Sequence, residues 1–473
     1  MRKNKIILIN TGLDGCFKES LREKYNYPPY GLLNIASMLS MHGYNVTLFD
    51  FFSESISKSI FTEKLIKDSQ NILAIGISTY TESFHLAISI ADIIKQTLPK
   101  TKIILGGVHV SFKPNEGLES NDIDFIVRGE GESKIIPLLE HIKYPNIISP
   151  YKLRGISFKN REGKIVHTDN IGYVNRLDCL PLPSYYLIAH SQVYSDTLSI
   201  VSSRGCPGKC NFCASREFNG KKFRMHSAIW IFSLLYYYFN KINKFKIIDF
   251  MDDAFTVNKR RVKHLFNILE FNKCNYIWTC KSRTDSLDES LIKLLAQNGC
   301  KSIHLGIESS DQKILNSIDK SITHERNLEI IKLCYKYSIR VECSFMIGLP
   351  KDTKETIDKT LIFASEISAA RIGLTYVGIA TPFPGTKIYE NSKLNGMKFL
   401  NSNWKNYTTR KPIYYTDNFS IEDLRNAYHY FNFDKIKLKG DNIISKINLS
   451  DFKRGIQLWI KEVIECKMSV QKK

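Results

Sequence analysis

Short apolar runs alternate with amphipathic segments along the first 145 residues of the chain. The apolar runs are rich in isoleucine and leucine, and they predict buried strands at residues 6–10, 45–50, 72–78, 102–105 and 125–127. Between them, apolar residues recur with a helical period at 31–42, 82–97 and 132–141. Strands that alternate with helices in this way are typical of parallel sheets. The pattern therefore predicts an α/β domain over residues 1–145, doubly wound in the manner of flavodoxin and Rossmann folds.

A second series of strands follows a proline-bearing stretch at 180–184, which we interpret as part of a linker over 146–195. Apolar runs predict strands near 198–202, 246–251, 276–280, 302–306, 341–347 and 372–379, with helical patterns such as 286–298 and 323–337 between them. A closed βα-barrel needs eight units, so six predict a partial (β/α)6 barrel over 196–386 that is open along one side. Residues 387–473 predict a small, mainly helical C-terminal segment that caps the barrel or contacts the substrate.

Small and polar residues follow four strands of the N-terminal domain. Parallel sheets of this type bind ligands beyond the carboxyl ends of their strands. We expect a broad, flat ligand at this edge of the sheet, although glycines that only form turns are the alternative for any single loop. The candidate contact residues are Thr11, Gly12, Ser78, Thr79, Gly106, Gly107, His109, Gly129 and Glu130.

Composition and charge bear on whether the protein binds nucleic acid, spans a membrane or is secreted. The formal net charge is +20, but the lysines are scattered and form no basic arm, so we predict a solvated surface and no nucleic-acid partner. The longest apolar run, 228–239, is shorter than the ~20 residues of a membrane-spanning helix and predicts a buried helix. The N-terminus shows no signal-peptide pattern. We therefore expect a cytoplasmic protein whose eleven cysteines form no disulfide framework.

Three of the cysteines lie close together in VSSRGCPGKCNFC, directly after the first predicted barrel strand. Cys206, Cys210 and Cys213 stand at the carboxyl end of that strand, on the face where barrel enzymes place their active sites. A zinc site needs four ligands, and the next candidate, His226, lies thirteen residues further on. Three thiolates without a fourth suit a 4Fe–4S cluster with one iron open to another ligand. Zinc or thiols without a metal are the alternatives.

The cysteine loop resembles the cluster motif of radical S-adenosylmethionine (SAM) enzymes. The N-terminal domain resembles the cobalamin-binding domain that is fused to one branch of that superfamily. Weaker motifs of the same families follow in the expected order: PPYGL at 28–32, GGVH at 106–109, RGEGE at 128–132, FMDDAF at 250–255, CKSR at 280–283, GIES at 306–309, IGLP at 347–350 and PFPGT at 382–386. The resemblance covers about residues 5–390.

The resemblance implies three cofactors and a set of SAM contacts. The cofactors are a 4Fe–4S cluster held by the three cysteines, SAM bound at the open iron, and cobalamin on the N-terminal sheet. Asp252 or Asp253 would hold the SAM ammonium group and Glu308 the ribose hydroxyls. Arg283 would contact the SAM carboxylate, or it pairs with Asp285.

Cobalamin domains often place a histidine below cobalt in a D-x-H-x-x-G loop. This chain has no such sequence, and the segment after the first strand, TGLDGC at 11–16, contains no histidine. The resemblance then implies a lower cobalt face with water or no ligand. For His109 we expect a loop hydrogen bond or a contact with the corrin side chains.

The resemblance also implies the reaction. The first interpretation is a C-methyltransferase that acts on an unactivated carbon of a natural product or peptide by means of a 5′-deoxyadenosyl radical and methylcobalamin. A radical SAM cyclase, rearrangement or oxidative enzyme with the same cofactors is the second, and a non-catalytic cluster or corrin sensor is the third. We expect a flavodoxin- or ferredoxin-type electron donor as partner. The sequence names neither the substrate nor a catalytic residue.

Overall fold

A computed structural model describes residues 4–11, 27–54, 56–169, 172–188, 194, 196–242 and 245–432. The first part of the chain contains β1 (Lys5–Asn10), α1 (Tyr30–Met41), β2 (Asn45–Asp50), α2 (Lys58–Asp68), β3 (Ile72–Thr79), α3 (Phe84–Thr97), β4 (Lys102–Gly107), α4 (Val108–Phe112), α5 (Pro114–Glu119), β5 (Phe125–Val127), α6 (Ile135–Lys143), β6 (Ile156–Lys159) and β7 (Ile165–His167). The strands form one sheet in the order β2-β1-β3-β4-β5-β6-β7. The five parallel strands have the flavodoxin-like order 2-1-3-4-5.

The first sheet is longer than the sequence analysis predicted. β6 and β7 pair antiparallel with β5 and with each other, so residues 156–167, which we assigned to the linker, extend the N-terminal sheet. These strands are only three and four residues long and have charged neighbours, which hides them from a search for apolar runs. Burial of Ile156 and Phe158 against the neighbouring strand holds them in the sheet.

The barrel follows as β8 (Thr197–Ile200), β9 (Ser203–Arg204), α7 (Ser215–Asn219), β10 (Arg224–Met225), α8 (Ala228–Tyr237), β11 (Ile247–Phe250), α9 (Lys259–Phe271), β12 (Ile277–Ser282), α10 (Glu289–Gln297), β13 (Cys300–Glu308), α11 (Gln312–Ser317), α12 (His324–Lys336), β14 (Arg340–Ile347), α13 (Lys354–Ala369) and β15 (Gly373–Ile379). Its six-stranded sheet has the order β15-β14-β13-β12-β11-β8, and every pair is parallel. β8 and β15 form the two edges and do not pair with each other. This is the predicted partial barrel, open between β8 and β15.

One hydrophobic core joins the two domains. Leu33 and Leu39 on α1, Tyr185 in the connecting segment and Leu198 on β8 belong to the same buried cluster. A second cluster fills the opposite face of the first sheet under α2 and α3. The shared core holds the carboxyl edges of both sheets next to each other.

The described part of the C-terminal segment, residues 387–432, contains α14 (Lys387–Glu390), β16 (Lys398–Phe399), β17 (Tyr414–Tyr415) and α15 (Ile421–Asn432), and the rest of the predicted segment lies outside the described residues. It packs on both domains, because Trp404 donates a hydrogen bond from Nε1 to Glu116 at 2.5 Å while the Tyr414 hydroxyl contacts the Gly348 carbonyl. Among the described residues, none of the helices combines the length and the apolar composition that a membrane span requires.

Candidate active site

A cavity of about 360 Å³ lies between the carboxyl edges of the two sheets. Its volume falls in the ~300–1,000 Å³ range of small-molecule sites. From the first domain it is lined by five of the nine residues that we predicted to contact a flat ligand, namely Ser78, Gly106, Gly107, Gly129 and Glu130. From the barrel it is lined by residues that follow β8, β9 and β11, including Arg204 and Asp253.

Glycines form much of the surface that the first domain contributes to the cavity. Gly107 has a φ of +99°, and a Cβ there would come within 2.5 Å of the Thr79 carbonyl oxygen. A Cβ on Gly131 would meet the Ile35 side chain at 2.8 Å, whereas one on Gly106 would point into open space with only Val127 within 4 Å. A surface without side chains allows a flat ring to approach the backbone closely. The cavity therefore fits the corrin of cobalamin.

Of the four other predicted residues of the first domain, the described ones do not line this cavity. Thr11 donates a hydrogen bond to Ser83 Oγ at 2.9 Å, and Thr79 donates one to the Gly106 carbonyl at 2.8 Å. Both threonines are buried and stabilise the strand ends instead. Gly12 lies outside the described residues. The fourth, His109, is described below.

His109 is fully buried behind the cavity, in contact with the C-terminal segment. Its ring lies 4.3 Å from that of Phe84 and 5.3 Å from that of Trp404, measured between centroids, and its Nδ1 is 3.3 Å from Thr81 Oγ1. Burial lowers the pKa of His109 to about 4, so the imidazole is neutral near pH 7 and its 3.6 Å approach to Glu116 is not an ion pair. Of its two expected roles, the loop contact with Thr81 is present, and His109 does not line the cavity.

Glu130 lines the cavity and forms buried ion pairs with two arginines of the barrel. It accepts hydrogen bonds from Arg224 Nη1 at 3.0 Å and Nη2 at 2.6 Å, and Arg204 Nη1 lies 3.2 Å away. Arg204 also pairs with Glu132 at 2.5 Å. Burial acts to raise the pKa of Glu130, but the hydrogen bonds from Arg224 and the charge of Arg204 hold it below its ordinary value. Glu130 therefore lines the cavity as an ionised residue whose main partners are arginines of the barrel.

The three predicted cluster cysteines lie in the loop between β9 and α7. The Gly208 N–H donates to Cys206 Sγ at 3.4 Å, and the Ser215 N–H donates to Cys213 Sγ at 3.5 Å. Backbone donors directed at sulfur stabilise thiolate ligands. Three thiols within one loop match, in number and in type, the protein ligands of a 4Fe–4S cluster with one open iron.

Burial of the loop affects the thiols themselves. It raises the pKa of the half-buried Cys206, whereas the Cys213 side chain is exposed. Protein groups alone therefore keep the Cys206 thiol protonated near neutral pH. Iron supplies the positive charge that ionises coordinating thiols.

The two adjacent aspartates after β11 have different surroundings. Asp252 is fully buried and accepts hydrogen bonds from Ser202 Oγ at 2.6 Å and the Ser203 N–H at 3.0 Å, with Arg261 Nη2 at 3.4 Å. Its carboxylate ties β8 to β11. Asp253 faces open space at the edge of the cavity, where Ser215 and Asn219 contact one of its oxygens. Of the two, only Asp253 is placed to meet a ligand.

Glu308 ends β13 in a strained conformation. Its φ is +68°, a region that residues with a side chain rarely adopt, and the register of β13 against β14 shifts at this point. The carboxylate accepts a hydrogen bond from Lys320 Nζ at 2.7 Å, and both side chains are nearly buried. Strain of this kind concentrates at ligand-binding sites.

Arg283, at the end of β12, adopts the second of its two predicted roles and also touches the cysteine loop. It donates to both Asp285 oxygens, from Nε at 3.0 Å and from Nη2 at 2.6 Å. Its Nη1 lies 3.8 Å from Cys210 Sγ. Burial acts to lower the pKa of Arg283, but the Asp285 carboxylate raises it, so the guanidinium stays charged. A Cβ on Gly208 would come within 2.5 Å of Nη1, which explains the glycine in the loop.

Sequence reasoning missed several polar residues at this site. Arg204, Arg224 and Lys320 pair with glutamates that we had predicted as ligand contacts. The nearly buried Asn34 on α1 also lines the cavity, beside Tyr30 of the PPYGL motif. Of the missed residues, Arg204 carried a usable signal, because it directly precedes the cysteine loop.

Two family models match the chain. The model of the radical SAM superfamily matches residues 200–364, and the model of the B12 binding domain matches residues 22–137. An uncharacterized methyltransferase of Pyrococcus horikoshii is 30% identical over 442 residues, which cover 91% of this chain and 93% of that protein. The chain belongs to the cobalamin-binding radical SAM family. It is an enzyme, and its cofactors are a 4Fe–4S cluster, SAM and cobalamin, as predicted.

Other relatives of this radical SAM enzyme have different names. Cytidylyl-2-hydroxyethylphosphonate methyltransferase of Streptomyces wedmorensis is 24% identical and matches 74% of this chain and 73% of that protein. Anaerobic magnesium-protoporphyrin IX monomethyl ester cyclase of Rubrivivax gelatinosus is 25% identical and matches 77% of this chain and 66% of that protein. Methyltransferases and a cyclase thus stand among its relatives.

Solved structures share the fold. The cobalamin-dependent SAM radical enzyme OxsB, with aqua-cobalamin and SAM bound, superposes with a TM-score of 0.75 at 18% identity, covering 96% of this chain and 71% of that chain. The radical SAM methyltransferase TsrM from Kitasatospora setae superposes with a TM-score of 0.69 at 14% identity, covering 98% and 99%. The predicted arrangement of a doubly wound domain followed by a partial barrel is confirmed.

Proposed function

We propose that this radical SAM enzyme is a methyltransferase that acts on an unactivated carbon of a natural product or peptide. The observation that carries the proposal is the single cavity that the glycine surface of the first domain shares with Asp253 of the barrel. A cavity with walls from both domains brings a cobalamin on the first sheet and a SAM on the barrel within reach of one substrate. Bound there, these cofactors supply a 5′-deoxyadenosyl radical and a transferable methyl group.

The residues of the chain have proposed roles in this reaction. Cys206, Cys210 and Cys213 ligate the cluster. Asp253 accepts hydrogen bonds from the SAM ammonium group, since its carboxylate is open to the cavity while that of Asp252 is fully engaged. Glu308, held by Lys320, accepts from the ribose hydroxyls.

Arg283 has a proposed role beside the cluster. Its guanidinium is held by Asp285 with Nη1 directed at Cys210 Sγ, so it places a fixed positive charge next to a thiolate ligand. A hydrogen bond to a cluster sulfur is one of the factors that set its reduction potential. Arg283 is therefore a positioning residue for the cluster.

A radical cyclase is the second candidate. The specific observation in its favour is the similarity to the Rubrivivax gelatinosus cyclase, which has nearly the same identity as the Streptomyces wedmorensis methyltransferase. The two reactions differ in their SAM products. Methylation consumes one SAM as methyl donor and a second as radical source, whereas cyclisation consumes SAM only as radical source.

The deciding experiment uses methyl-labelled SAM and anaerobically reconstituted full-length enzyme with a low-potential reductant and a deproteinised metabolite extract of the source cells. We expect S-adenosylhomocysteine together with 5′-deoxyadenosine, and label in an organic product. 5′-Deoxyadenosine without S-adenosylhomocysteine would overturn the methyltransferase in favour of the cyclase.

Cysteine variants give the matched controls for that experiment. Cys210→Ala should lose the cluster absorbance and the 5′-deoxyadenosine, since the loop then holds too few thiolates. Cys179→Ala, which changes an exposed thiol outside the loop, should retain both. Equal behaviour of the two variants would contradict the proposed ligands.

A flavodoxin- or ferredoxin-type protein is the proposed electron donor. The support is the net charge of +20, which favours encounter with an acidic partner. The cytoplasmic location stays a prediction.

A further inference from the structure

Two groups of cations lie on the hairpin of β9 and β10, and they differ in their partners. Arg204 and Arg224, on the strands, are largely buried and pair with Glu130. The segment between the strands, residues 205–223, contains the three cluster cysteines, four cationic residues and one acidic residue, so its formal net charge is +3. The cationic residues, which we call the basic loop surface, are Lys209, Arg216, Lys221 and Lys222.

The side chains of the basic loop surface face solvent and are not neutralised by neighbouring residues. Lys209, Lys221 and Lys222 are exposed, and Arg216 is half-buried. Within the ranges that the structure describes, none of the four side chains takes part in an ion pair or a hydrogen bond. Charges of one sign on a small surface repel each other, and an anionic partner would relieve that repulsion.

The basic loop surface lies directly outside the loop of the cluster cysteines. Lys209 stands between the first two cysteines, and Arg216 follows the third on α7. Gly205 precedes the first, and its φ of +85° lets the returning chain approach, because a Cβ there would come within 3.0 Å of the Lys222 carbonyl oxygen. This contact places Lys221 and Lys222 beside the start of the cysteine loop.

The other side of the cysteine loop is covered by the barrel. Asn211 donates a hydrogen bond from Nδ2 to the Ser317 carbonyl at 2.9 Å, and Arg283 Nη1 lies 3.8 Å from Cys210 Sγ. Electron transfer slows steeply with distance, so a protein that reduces the cluster has to approach this loop closely. The exposed lysines mark a side on which another protein has access.

The charge of this surface selects the type of partner. The radical reaction needs one electron at the cluster: the donor is oxidised by one electron and the cluster is reduced by one, with no bond made or broken. Flavodoxins and ferredoxins deliver single electrons at low potential, and their surfaces are acidic. Complementary charge speeds the encounter of two proteins and fixes their orientation.

We propose that the basic loop surface is the docking site of an acidic one-electron carrier protein of the flavodoxin or ferredoxin type. Its lysines orient the carrier with its redox centre towards the cysteine loop. The proposal rests on the proposed function, because it locates the electron donor of the same radical reaction.

The test compares two double variants that change the net charge of the chain by the same amount. Lys221→Glu/Lys222→Glu reverses two charges of the basic loop surface. Lys58→Glu/Lys67→Glu reverses two exposed charges of α2, which covers the face of the first sheet opposite the core shared with the barrel. At about 0.1 M salt the Debye length is about 10 Å, so the charges on α2 are screened from a partner at the cysteine loop.

The first measurement is the dissociation constant of an oxidised acidic flavodoxin, from isothermal titration calorimetry with the reconstituted holoenzyme at about 0.1 M salt. We expect binding to weaken at least about tenfold in Lys221→Glu/Lys222→Glu, because like charges then face each other, and to stay within about twofold in the α2 variant. If the two variants bind flavodoxin equally well, the basic loop surface is not the docking site. Should the charge reversal prevent folding, Lys221→Gln/Lys222→Gln repeats the comparison.

The rate of 5′-deoxyadenosine formation gives an independent check. For each variant the rate with reduced flavodoxin is divided by the rate with dithionite, a small reductant, so that a general loss of cluster or fold cancels. We expect this ratio to fall at least about fivefold in Lys221→Glu/Lys222→Glu and to keep its wild-type value in the α2 variant. If both rates of Lys221→Glu/Lys222→Glu fall together, these lysines serve the cluster, the substrate or the fold, and the docking site is wrong.

The outcomes separate this proposal from the proposed function. Formation of S-adenosylhomocysteine and 5′-deoxyadenosine with dithionite, together with unchanged flavodoxin affinity in Lys221→Glu/Lys222→Glu, would contradict the docking site alone. A loss of flavodoxin affinity in that variant, without S-adenosylhomocysteine from the wild-type enzyme, would contradict the methyltransferase and leave the docking site standing.

Discussion

Asp252 and Asp253 are adjacent in the sequence but have different surroundings in the structure. Asp252 accepts hydrogen bonds from backbone and hydroxyl groups of residues 202–203 and lies beside the Arg261 guanidinium, all of it buried. Asp253 turns the other way, towards the cavity. Because a strand places successive side chains on opposite faces, neighbours at the end of β11 are free to serve structure and ligand separately.

Replacing each aspartate by asparagine should separate these tasks. Asp252→Asn leaves Arg261 buried without a full counter-charge, so we expect a loss of about 3–5 kcal/mol in unfolding free energy. Asp253→Asn should change unfolding by less than about 1 kcal/mol and weaken SAM binding at least about tenfold, because one charge-assisted hydrogen bond is lost. Chemical denaturation and equilibrium dialysis with SAM measure the two effects. A stable Asp252→Asn protein with poor SAM affinity would reverse the assignment.

Ion pairs connect the loop after β5 with the hairpin of β9 and β10. The loop after β5 supplies Glu130 and Glu132, and the hairpin of β9 and β10 supplies Arg204 and Arg224. The same hairpin leads into the cysteine loop. The loop after β5, which lines the cavity, is therefore attached to the strand that precedes the cysteine loop.

The variant Arg224→Met tests whether the ion pair with Glu130 holds these two parts of the chain together. It leaves Glu130 with one arginine in place of two, and we expect a loss of about 3–5 kcal/mol of stability together with weaker retention of cobalamin. Thermal unfolding and the cobalamin absorbance after gel filtration measure both. Arg425→Met, which breaks an exposed pair within α15, is the control and should cost less than about 1 kcal/mol. If the Arg224→Met protein is destabilised but retains all of its cobalamin, the Glu130–Arg224 pair contributes to folding and not to cobalamin binding.

The contact between the C-terminal segment and the first domain should respond to acid. His109 has its folded pKa lowered to about 4 from 6.5, so the unfolded chain binds more protons between these values. Stability from this site is complete above pH 6.5 and falls as the pH drops towards 4, by up to about 3 kcal/mol. His109→Gln should flatten the dependence of Tm on pH in this range, whereas His85→Gln, an exposed position on α3, should not. If the slope of Tm against pH is unchanged in His109→Gln, His109 is not the cause of the loss of stability in acid.

At the scale of the whole molecule, we expect the net charge to assist the encounter with the proposed electron donor. A net charge of +20 attracts an acidic protein through long-range electrostatic interactions, and dissolved salt screens these interactions. We expect turnover with a flavodoxin or ferredoxin to fall several-fold between about 50 and 500 mM salt. Turnover with dithionite is the control, since a small reductant needs no docking. The idea is falsified if the two rates depend on salt equally.

Much of the architecture follows from the sequence alone. The period of the apolar runs predicted both sheets, because burial on two faces requires nearly continuous apolar strands and leaves a pattern along the chain. The cysteine spacing predicted the cluster loop, because three ligands within one loop are neighbours in sequence. The two short strands at 156–167 escaped detection, since neighbouring strands, and no long apolar run, hold them in place.

The chemistry of individual side chains was decided only by the tertiary structure. Pairs such as Glu130 with Arg224 and Asp252 with Ser202 join residues far apart in the chain, and the packing of the two domains and the alignment of neighbouring strands bring them together. His109, on α4, is buried against Phe84 and Trp404 and does not line the cavity. Sequence pattern reports which residues are buried and how they repeat, whereas the direction of each side chain and its partner depend on how the sheets twist and pack. That is why the cofactors and the cysteine loop could be predicted from the sequence, and why the choice between Asp252 and Asp253 as a proposed ligand contact required the folded chain.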